Sequence, residues 1–324
     1  MVAAVARKRF LQQSTEVSEF EADVLEGLRT VPKHVPAKYF YDAAGSRLFE
    51  RITELPEYYP TRCEMSILRQ QAGEIAKLIP QGAALVEFGS GSSKKARILL
   101  RAAPKLAAYV PVDICGEMIE QEAAEHRPDF PQLKVLPVTA DICKPFTLPL
   151  EAKVASARVG FFPGSTIGNF EPHDAAGFLR NAANILGMGA VLIVGADLIK
   201  PADVLNAAYN DAEGITAKFN LNLLTRINRE LDGTFRLDAF EHHAFYNRER
   251  HRIEMHLASL KRQRVKVGGE AIDFRAGETI HTENSYKYSV ASLAALARGV
   301  GWLPVRAWTD SREYFSIQAF TFAG

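Results

Sequence analysis

Between about Arg62 and Leu198, short apolar runs alternate with longer stretches whose apolar residues recur every three or four positions. The short runs predict buried strands, and the longer stretches predict amphipathic helices. The predicted strands are Ala84–Phe88, Ala108–Val112, Lys134–Val138, Arg158–Phe162 and Ala190–Ala196. The predicted helices are Glu64–Ile79, Lys94–Ala102, Gly116–His126 and Asp174–Leu186. Apolar strands separated by helices indicate an α/β fold with a parallel sheet covered on both faces.

The C-terminal segment departs from this alternation. Ser289–Val300 predicts a helix, and Leu303–Thr309 and Tyr314–Phe322 predict two strands joined by a polar turn at Asp310–Arg312. A dinucleotide-binding sheet more often ends in a further helix and parallel strand. The terminal hairpin therefore resembles the end of the Rossmann-like sheet of class I methyltransferases.

Two other stretches, Glu16–Pro60 and Pro201–Asn284, do not follow the strand–helix alternation. The second stretch predicts two helices, three strand-like segments and a Gly268-Gly269 turn, at Ala202–Ala212, Ile215–Leu231, Phe235–Asn247, His251–Leu260 and Gln263–Val267. We interpret both stretches as one discontinuous α+β substrate-binding domain, formed by residues 1–60 and 201–285. The methyltransferase-like domain would then comprise residues 61–200 and 286–324.

Composition narrows the function classes. The chain has 39 basic and 38 acidic residues and no long basic run, which argues against nucleic acid as a partner. Three cysteines without a CxxC pair argue against a disulfide framework or zinc site and favour a reducing cytoplasm. Met1–Leu11 is too charged for a signal peptide, and the longest apolar run, near Gly189–Ile199, is interrupted by Asp197. We expect a monomeric cytoplasmic enzyme without membrane contact or a metal, and we interpret the histidines as ordinary polar residues.

The sharpest local signal is the segment Leu85–Lys95, in which an apolar strand runs into a Gly-rich turn and then a helix. Glycines let a ligand approach the backbone, and the helix N-terminus offers free N–H donors. The third glycine of a dinucleotide fingerprint is replaced by Lys94, which weakens that interpretation and leaves the E/D-x-G-x-G form of methyltransferases intact. The candidate cofactor-binding residues here are Glu87, Gly89, Ser90, Gly91 and Lys95. Lys95 is a candidate partner for the methionyl carboxylate, and a plain strand–helix turn is the alternative for the whole segment.

Two aspartates follow at the ends of the next predicted strands. Asp113 stands about twenty residues after the Gly turn, where a carboxylate accepts from ribose hydroxyls. Asp141 follows the third strand, where it is placed to accept from an adenine amine while Ile142 packs on the purine. Each aspartate alone is equally consistent with a helix N-cap. The ordered set of turn and two carboxylates predicts a nucleotide crevice.

Several longer segments make the chain similar to the histidine-specific Nα-methyltransferases of ergothioneine biosynthesis. These segments are Lys38–Phe49, Leu55–Glu64, Phe162–Phe170, Ala208–Asp211 and Thr282–Ser285. The resemblance spans nearly the whole chain. It implies S-adenosylmethionine as cofactor, L-histidine as substrate and three methyl transfers to the α-amine, which give hercynine.

The resemblance also implies roles for single residues. Asn169 and Tyr209 would hold the substrate carboxylate, while Tyr59 and Gly164 would lie around the amine. Glu283 and Ser285 would bond the two imidazole nitrogens, and the pocket walls would be Tyr41, Phe49, Phe219 and Met255. Among these, Tyr59 and Asn169 are the candidate catalytic residues. The alternative for Glu283 and Ser285 is that they cap the helix that begins near Ser289.

Three other functions remain open at this stage. The first is an N-methyltransferase for another amino acid or an aromatic amine such as a tryptophan derivative, which the Glu283/Ser285 pair disfavours. The second is an NAD-dependent oxidoreductase, disfavoured by the missing third glycine. The third is a cofactor-binding regulator without catalytic activity.

Overall fold

A computed structural model describes residues 19–91 and 94–324 of the chain. Met1–Leu11, where we predict no signal peptide, lies outside the described residues. Ser92 and Ser93 of the Gly-rich segment also lie outside them. The chain divides into two compact units. The first unit comprises the described part of Met1–Glu57 together with Asp203–Asn247 and Ile253–Asn284. The second unit comprises Tyr58–Ala202, Arg248–Arg252 and Ser285–Gly324.

The second unit is built on a sheet of eight described strands. They are β2 (Ala84–Phe88), β3 (Ala108–Asp113), β4 (Lys134–Val135), β5 (Val138–Thr139), β6 (Arg158–Phe162), β7 (Val191–Asp197), β13 (Trp302–Thr309) and β14 (Phe315–Phe322). Their order is β13-β14-β7-β6-β2-β3-β4, with β5 also beside β3. The strands from β7 to β4 are parallel, whereas β14 runs antiparallel to both β7 and β13. The terminal antiparallel hairpin and the class I methyltransferase fold are thus confirmed.

Helices surround this sheet. They are α3 (Tyr59–Ala76), α4 (Lys94–Ala102), α5 (Gly116–His126), α6 (Leu150–Lys153), α7 (Pro172–Leu186) and α10 (Val290–Arg298), with a 3-10 turn at Thr166–Asn169. Every residue of β2 is buried, which requires cover on both faces of the sheet. The core includes Phe88, Phe162, Phe178 and Trp302. Its aromatic rings fix the strand ends that carry the candidate cofactor residues.

Two predicted elements of the second unit were wrong in extent. Lys134–Val138 forms two short strands rather than one, since Pro137 between them has no N–H to donate to the sheet. Helix α3 begins at Tyr59 rather than Glu64, because Pro60 occupies its first turn, where a missing N–H is tolerated.

The first unit combines helices with a smaller sheet. Its helical segments are α1 (19–29), α2 (Ala43–Glu54), α8 (Ala202–Tyr209) and α9 (Ile215–Glu230), with 3-10 turns at Ala37–Phe40 and Leu237–Ala239. Its strands are β1 (Lys33–His34), β8 (Phe240–Asn247), β9 (Arg252–Ser259), β10 (Gln263–Val267), β11 (Glu270–Phe274) and β12 (Thr279–Tyr286). The order β1-β12-β9-β8 forms the sheet, and β10 pairs with β11 across the predicted Gly268-Gly269 turn. Strands β9 and β12 each continue into the second unit, at Arg252 and at Ser285–Tyr286.

Some boundaries in the first unit also differ from prediction. Helix α8 ends at Tyr209, three residues early, because Asp211 turns back to accept from the N–H groups of Ile215 and Thr216 and so begins α9. The strand predicted from Phe235 starts only at Phe240, after the 3-10 turn. Across the described chain, no helix combines the length and apolarity needed to cross a membrane.

Candidate active site

In the second unit the chain reverses its strand order around β2, which lies between β3 and β6. Ligands in open α/β sheets bind at such a switch point, beyond the carboxyl ends of the strands. The chain leaves these ends at Gly89, Asp113 and Pro163. Three of the predicted cofactor and substrate segments therefore meet at one edge of the sheet.

The Gly-rich turn after β2 is held against β3. The N–H of Gly89 donates to the carbonyl of Val112 at 2.8 Å, and Gly89 adopts a φ of 71°, which favours glycine. Among the described residues, a Cβ on Gly91 would meet nothing within 4 Å. The backbone at Gly91 thus leaves room for a ligand to approach.

Asp113 ends β3 directly beside this turn. Its Oδ1 accepts from the N–H of Cys115 at 3.0 Å, and its Oδ2 accepts from the N–H of Gly91 at 3.4 Å. Burial raises the pKa of Asp113, and the backbone donors oppose that rise. Cys115 is the N-cap of α5, so the alternative interpretation of Asp113 as a helix N-cap is wrong.

Asp141 and Ile142 lie next to Asp113. Strand β5 pairs Thr139 with Asp113, and Asp141 follows two residues later. The Cδ1 of Ile142 lies 3.9 Å from the position that a Cβ on Gly89 would take. Asn181 of α7 anchors this segment by donating to the carbonyls of Ile142 and Lys144. The structure therefore brings the Gly turn, Asp113 and Ile142 together, with Asp141 beside them.

Glu87 faces the interior beneath the turn. It is buried and bonds the hydroxyl of Tyr109. Burial, reinforced by the nearby charge of Glu122, raises the pKa of Glu87 well above its ordinary value. Ser90 donates to Glu122 at 2.9 Å, so the turn rests on a second buried carboxyl. Glu87 thus links β2 to β3 through Tyr109, and direct contact with a cofactor stays a prediction.

Lys95 has an internal partner that the sequence did not indicate. Its Nζ pairs with Glu64 Oε2 at 2.6 Å, and both Glu64 oxygens accept from the N–H of Gly164, at 2.9 and 3.0 Å. Glu64 is fully buried and fills the space beside Gly195, where a Cβ would come within 2.2 Å of its Oε1. Glu64 therefore ties α3 to the first turn of α4 and to the loop after β6. The predicted pairing of Lys95 with a methionyl carboxylate remains a prediction.

A second buried carboxylate, Asp197 at the end of β7, organises a network of charged and polar side chains. Its Oδ1 contacts Lys200 Nζ at 2.6 Å, and its Oδ2 contacts Lys287 Nζ at 2.8 Å and accepts from the Tyr59 hydroxyl at 2.7 Å. Lys200 also donates to the Tyr59 hydroxyl at 2.8 Å, and Lys287 donates to Ser285 Oγ at 2.7 Å. We call these five residues the Asp197 network. It contains the predicted catalytic Tyr59 and the predicted imidazole ligand Ser285.

Charge compensation governs this network. All five residues are buried, and the ion pairs set two ammonium groups against one carboxylate. Burial acts to raise the pKa of Asp197, but the charges of Lys287 and Lys200 lower it overall. Burial lowers the pKa of Lys200 to about 8, against the opposing effect of Asp197. Asp197 is therefore held ionised and does not serve as a proton acceptor at neutral pH.

The 3-10 turn after β6 carries the predicted catalytic Asn169. Ser165, just before the turn, adopts a left-handed φ of 59°, and its Oγ accepts from the N–H of Asp197 at 2.9 Å. Gly168 lets the turn approach β12, because a Cβ there would lie 2.7 Å from the carbonyl oxygen of Tyr286. Asn169 is half-buried at the end of this turn. The turn is thus fixed to both the Asp197 network and β12.

In the first unit, the structure groups three of the predicted pocket walls. The rings of Tyr41, Phe49 and Phe219 lie within 5.7 to 6.0 Å of one another, centroid to centroid. Met255 is buried on β9, and its carbonyl accepts from Thr282 of β12 at 3.0 Å. Glu283 follows on β12, and it and Tyr209 of α8 are also buried.

The alternative interpretation of Glu283 and Ser285 as helix caps is wrong. Ser289 caps α10, in a reciprocal pair with Ser292. Glu283 and Ser285 instead lie two residues apart in β12, and alternate residues of a strand share one face. That they bind the two nitrogens of one ring stays a prediction.

One histidine cluster was not expected. Glu254, His256 and His281 place possible metal-binding atoms within 4.8 Å of one another. The two rings are stacked with centroids 4.8 Å apart, and His281 Nε2 lies 3.1 Å from the carbonyl oxygen of Glu283. The two rings come from the neighbouring strands β9 and β12 and pack against each other. His251 lies outside this cluster, in the turn before β9, with a φ of 50°.

A family profile described as histidine-specific, S-adenosylmethionine-dependent methyltransferase matches residues 20–322. The chain belongs to this family. It is accordingly an enzyme, and its cofactor is S-adenosylmethionine. The residues at the carboxyl ends of β2, β3 and β5 are the ones that fit such a cofactor.

Relatives in this histidine-specific family cover nearly the whole chain. A histidine N-alpha-methyltransferase from Mycobacterium tuberculosis is 41% identical over 300 residues, covering 91% of this chain and 92% of the relative. Its counterpart from Mycolicibacterium smegmatis is 39% identical and covers 95% of this chain and 96% of the relative. The ergothioneine biosynthesis protein 1 of Neurospora crassa is 32% identical, covering 87% of this chain but 32% of that longer protein.

Four residues of this methyltransferase escaped the sequence-based prediction. They are Glu64, Asp197, Lys200 and Lys287. All four are buried charged residues, and each forms an ion pair. Only Glu64 lies within a motif that was singled out. A charged residue inside an apolar run, such as Asp197 at the end of β7, was the one available signal of a buried partner.

Proposed function

We propose that this chain transfers three methyl groups in turn from S-adenosylmethionine to the α-amine of L-histidine, forming hercynine as the first step of ergothioneine biosynthesis. Membership of the histidine-specific family carries the proposal. The names of the relatives support both the acceptor and the pathway.

The cofactor side rests on the fit of the residues present. The Gly-rich turn leaves its backbone open, Asp113 offers a carboxylate for ribose hydroxyls, and Asp141 with Ile142 suits an adenine ring. When bound, S-adenosylmethionine supplies a methyl group on a sulfonium, which is already a good leaving group. The protein therefore needs no nucleophilic side chain, and its task is to hold the reacting atoms aligned at roughly 3–3.5 Å.

On the acceptor side, we assign Glu283 and Ser285 to the imidazole and Asn169 and Tyr209 to the substrate carboxylate. A neutral imidazole presents one donor and one acceptor, which a carboxylate and a hydroxyl together satisfy. A ligand that leaves such groups unpaired is rejected at a cost of about 1–3 kcal/mol per group. Histidine is thereby distinguished from other amino acids.

Around the amine we assign Tyr59 and Gly164. Tyr59 is oriented by its bonds to Asp197 and Lys200, so its oxygen is held at one position for the approaching nitrogen. The amine loses its proton to water, while Tyr59, whose own proton is held by Asp197, orients the amine nitrogen. Aromatic rings from Tyr41, Phe49 and Phe219 suit a growing quaternary ammonium by cation–π attraction, which retains the dimethyl intermediate for the third transfer.

We further propose that the chain acts as a monomer in the cytoplasm on a small molecule. The test is a methylation screen over the twenty common amino acids with labelled cofactor, followed by mass spectrometry. We expect histidine alone to be methylated, three times. Glu283→Ala should weaken histidine use about 10-fold or more while leaving S-adenosylhomocysteine affinity within about 3-fold, since a lost charged hydrogen bond acts locally. Cofactor binding without methylation of any amino acid would instead indicate a regulator.

A further inference from the structure

Lys287 stands immediately beyond β12, and the reaction as proposed gives it no role. Its side chain is buried, and its Nζ donates to Ser285 Oγ at 2.7 Å. The same nitrogen pairs with Asp197 Oδ2 at 2.8 Å. An ammonium buried this deeply lies against the hydroxyl that we assign to the substrate ring.

The position of Lys287 is fixed by the rest of the Asp197 network. Asp197 Oδ2 also accepts from Tyr59, while Asp197 Oδ1 pairs with Lys200. The carboxylate is thus shared among three partners, and Lys287 is held between it and Ser285. The fold therefore fixes the orientation of the Lys287 side chain toward Ser285.

The hydrogen bond from Lys287 limits the further hydrogen bonds that the Ser285 hydroxyl can form. An ammonium has three donors and no acceptor, whereas a hydroxyl has one donor and two lone pairs. Ser285 must accept from Lys287, so its own proton cannot lie along that contact. A hydroxyl that accepts from a cation is polarised and becomes a stronger donor and a weaker acceptor.

We propose that Lys287 is a specificity-determining positioning residue, which makes Ser285 a hydrogen-bond donor and thereby selects the neutral form of the substrate imidazole. This inference rests on the proposed function. The ring would present its bare nitrogen to Ser285 and its N–H to Glu283. An imidazolium, which has no bare nitrogen, would face a polarised donor and a nearby ammonium.

Other titratable groups contact the network and belong in any pH analysis. Lys200 lies over the rings of Tyr59 and Tyr314, with its Nζ 4.5 and 5.5 Å from their centroids. Its charge also interacts with Cys63. Since these groups surround Lys200 and Tyr59, they are expected to act on turnover, while Lys287 acts on recognition of the ring.

The first experiment measures the histidine KM and kcat of Lys287→Met between about pH 5.5 and pH 8. In the wild type, KM should rise as pH falls through the imidazole pKa of about 6.5. Lys287→Met should raise KM about 10-fold at pH 8, as expected for losing a charge-assisted bond, with a smaller effect on kcat. Its KM should also depend less on pH, because Ser285 can then turn a lone pair toward an imidazolium N–H.

Two further variants separate recognition from folding. Lys287→Arg keeps a donor and should recover most of the wild-type KM and its pH profile. In a Ser285→Ala background, Lys287→Met should change KM little further, because its target is gone. An equal effect in both backgrounds, or an unchanged pH profile in Lys287→Met, would overturn the inference.

A second measurement needs no variant. Nitrogen-labelled histidine bound to the wild type with S-adenosylhomocysteine should show one protonated and one bare ring nitrogen by NMR at about pH 6. A doubly protonated ring would refute the role of Lys287 while leaving histidine methylation standing. Absence of histidine binding altogether would instead refute the proposed function.

Discussion

Glu122 lies beneath the Gly-rich turn, and its substitution by glutamine should stabilise the protein in a pH-dependent way. Burial raises the pKa of Glu122 to about 7 from an ordinary value of 4.5, with smaller effects from Asp113 and Glu125 in the same direction. Ser90 bonds one of its oxygens, and the other, Oε1, has no hydrogen-bond partner among the described residues. The ionised form is therefore poorly solvated in the folded state.

The sign follows from proton linkage. Between pH 4.5 and about 7 the folded protein binds more protons at Glu122 than the unfolded chain does, so stability falls as pH rises through this window. With about 1.36 kcal/mol per pKa unit, ionising Glu122 costs the fold about 1 kcal/mol at pH 5 and about 3 kcal/mol at pH 8. Glu122→Gln should remove this cost and keep an acceptor for Ser90.

The assay is chemical unfolding followed by tryptophan fluorescence. Both tryptophans, Trp302 and Trp308, lie in β13, so the signal reports on the same unit as Glu122. The stability gain of Glu122→Gln should grow by about 2 kcal/mol from pH 5 to pH 8. Glu120→Gln, at an exposed position of the same helix, is the matched control and should show no such trend. A gain that is constant with pH would show that Glu122 titrates normally and refute the reasoning.

Two further predictions test the geometry of the site. Gly195→Ala should destabilise the second unit by about 1–3 kcal/mol in the same unfolding assay, because its Cβ would collide with Glu64. The control is Gly177→Ala, which should be neutral or slightly stabilising because no described atom lies within 4 Å of its Cβ position. Asp113→Ala should weaken S-adenosylhomocysteine binding about 10-fold or more in calorimetry. The control Asp174→Ala, at the exposed start of a helix, should not weaken it. Unchanged affinity in Asp113→Ala would remove Asp113 from the cofactor site.

Periodicity was sufficient to predict most of the sheet and its terminal hairpin. Runs such as Ala84–Phe88 are buried on both faces, and their short length together with the flanking glycines distinguishes them from helices. Prediction failed where a local backbone constraint overrode the pattern. Pro137 divides one predicted strand into two, and Pro60 allows α3 to start earlier than its apolar residues indicate.

Only some residues of the candidate site could be predicted from the sequence. Residues at strand ends, such as Asp113 and Asp141, are recognisable because their spacing from the Gly-rich turn is regular. Glu64 and Lys287 are not, because each acts through a partner that is distant along the chain, Gly164 for one and Asp197 for the other. Nothing in a local pattern distinguishes such a residue from a solvated surface charge.

The two buried carboxylates have different tasks, and the difference follows from their partners. Glu64 accepts from a backbone N–H and pairs with Lys95, so it fixes loops and leaves no net charge. Asp197 is set against two lysines, so the network around it has an excess of positive charge within the fold. An excess cation disfavours a second cation nearby, which is unfavourable for imidazolium and for a protonated amine alike. Methyl transfer requires the neutral amine, and the ring recognition that we propose for Ser285 requires the neutral imidazole. In the proposed site, one buried charge imbalance would favour the neutral form of both groups without any residue acting as a strong base.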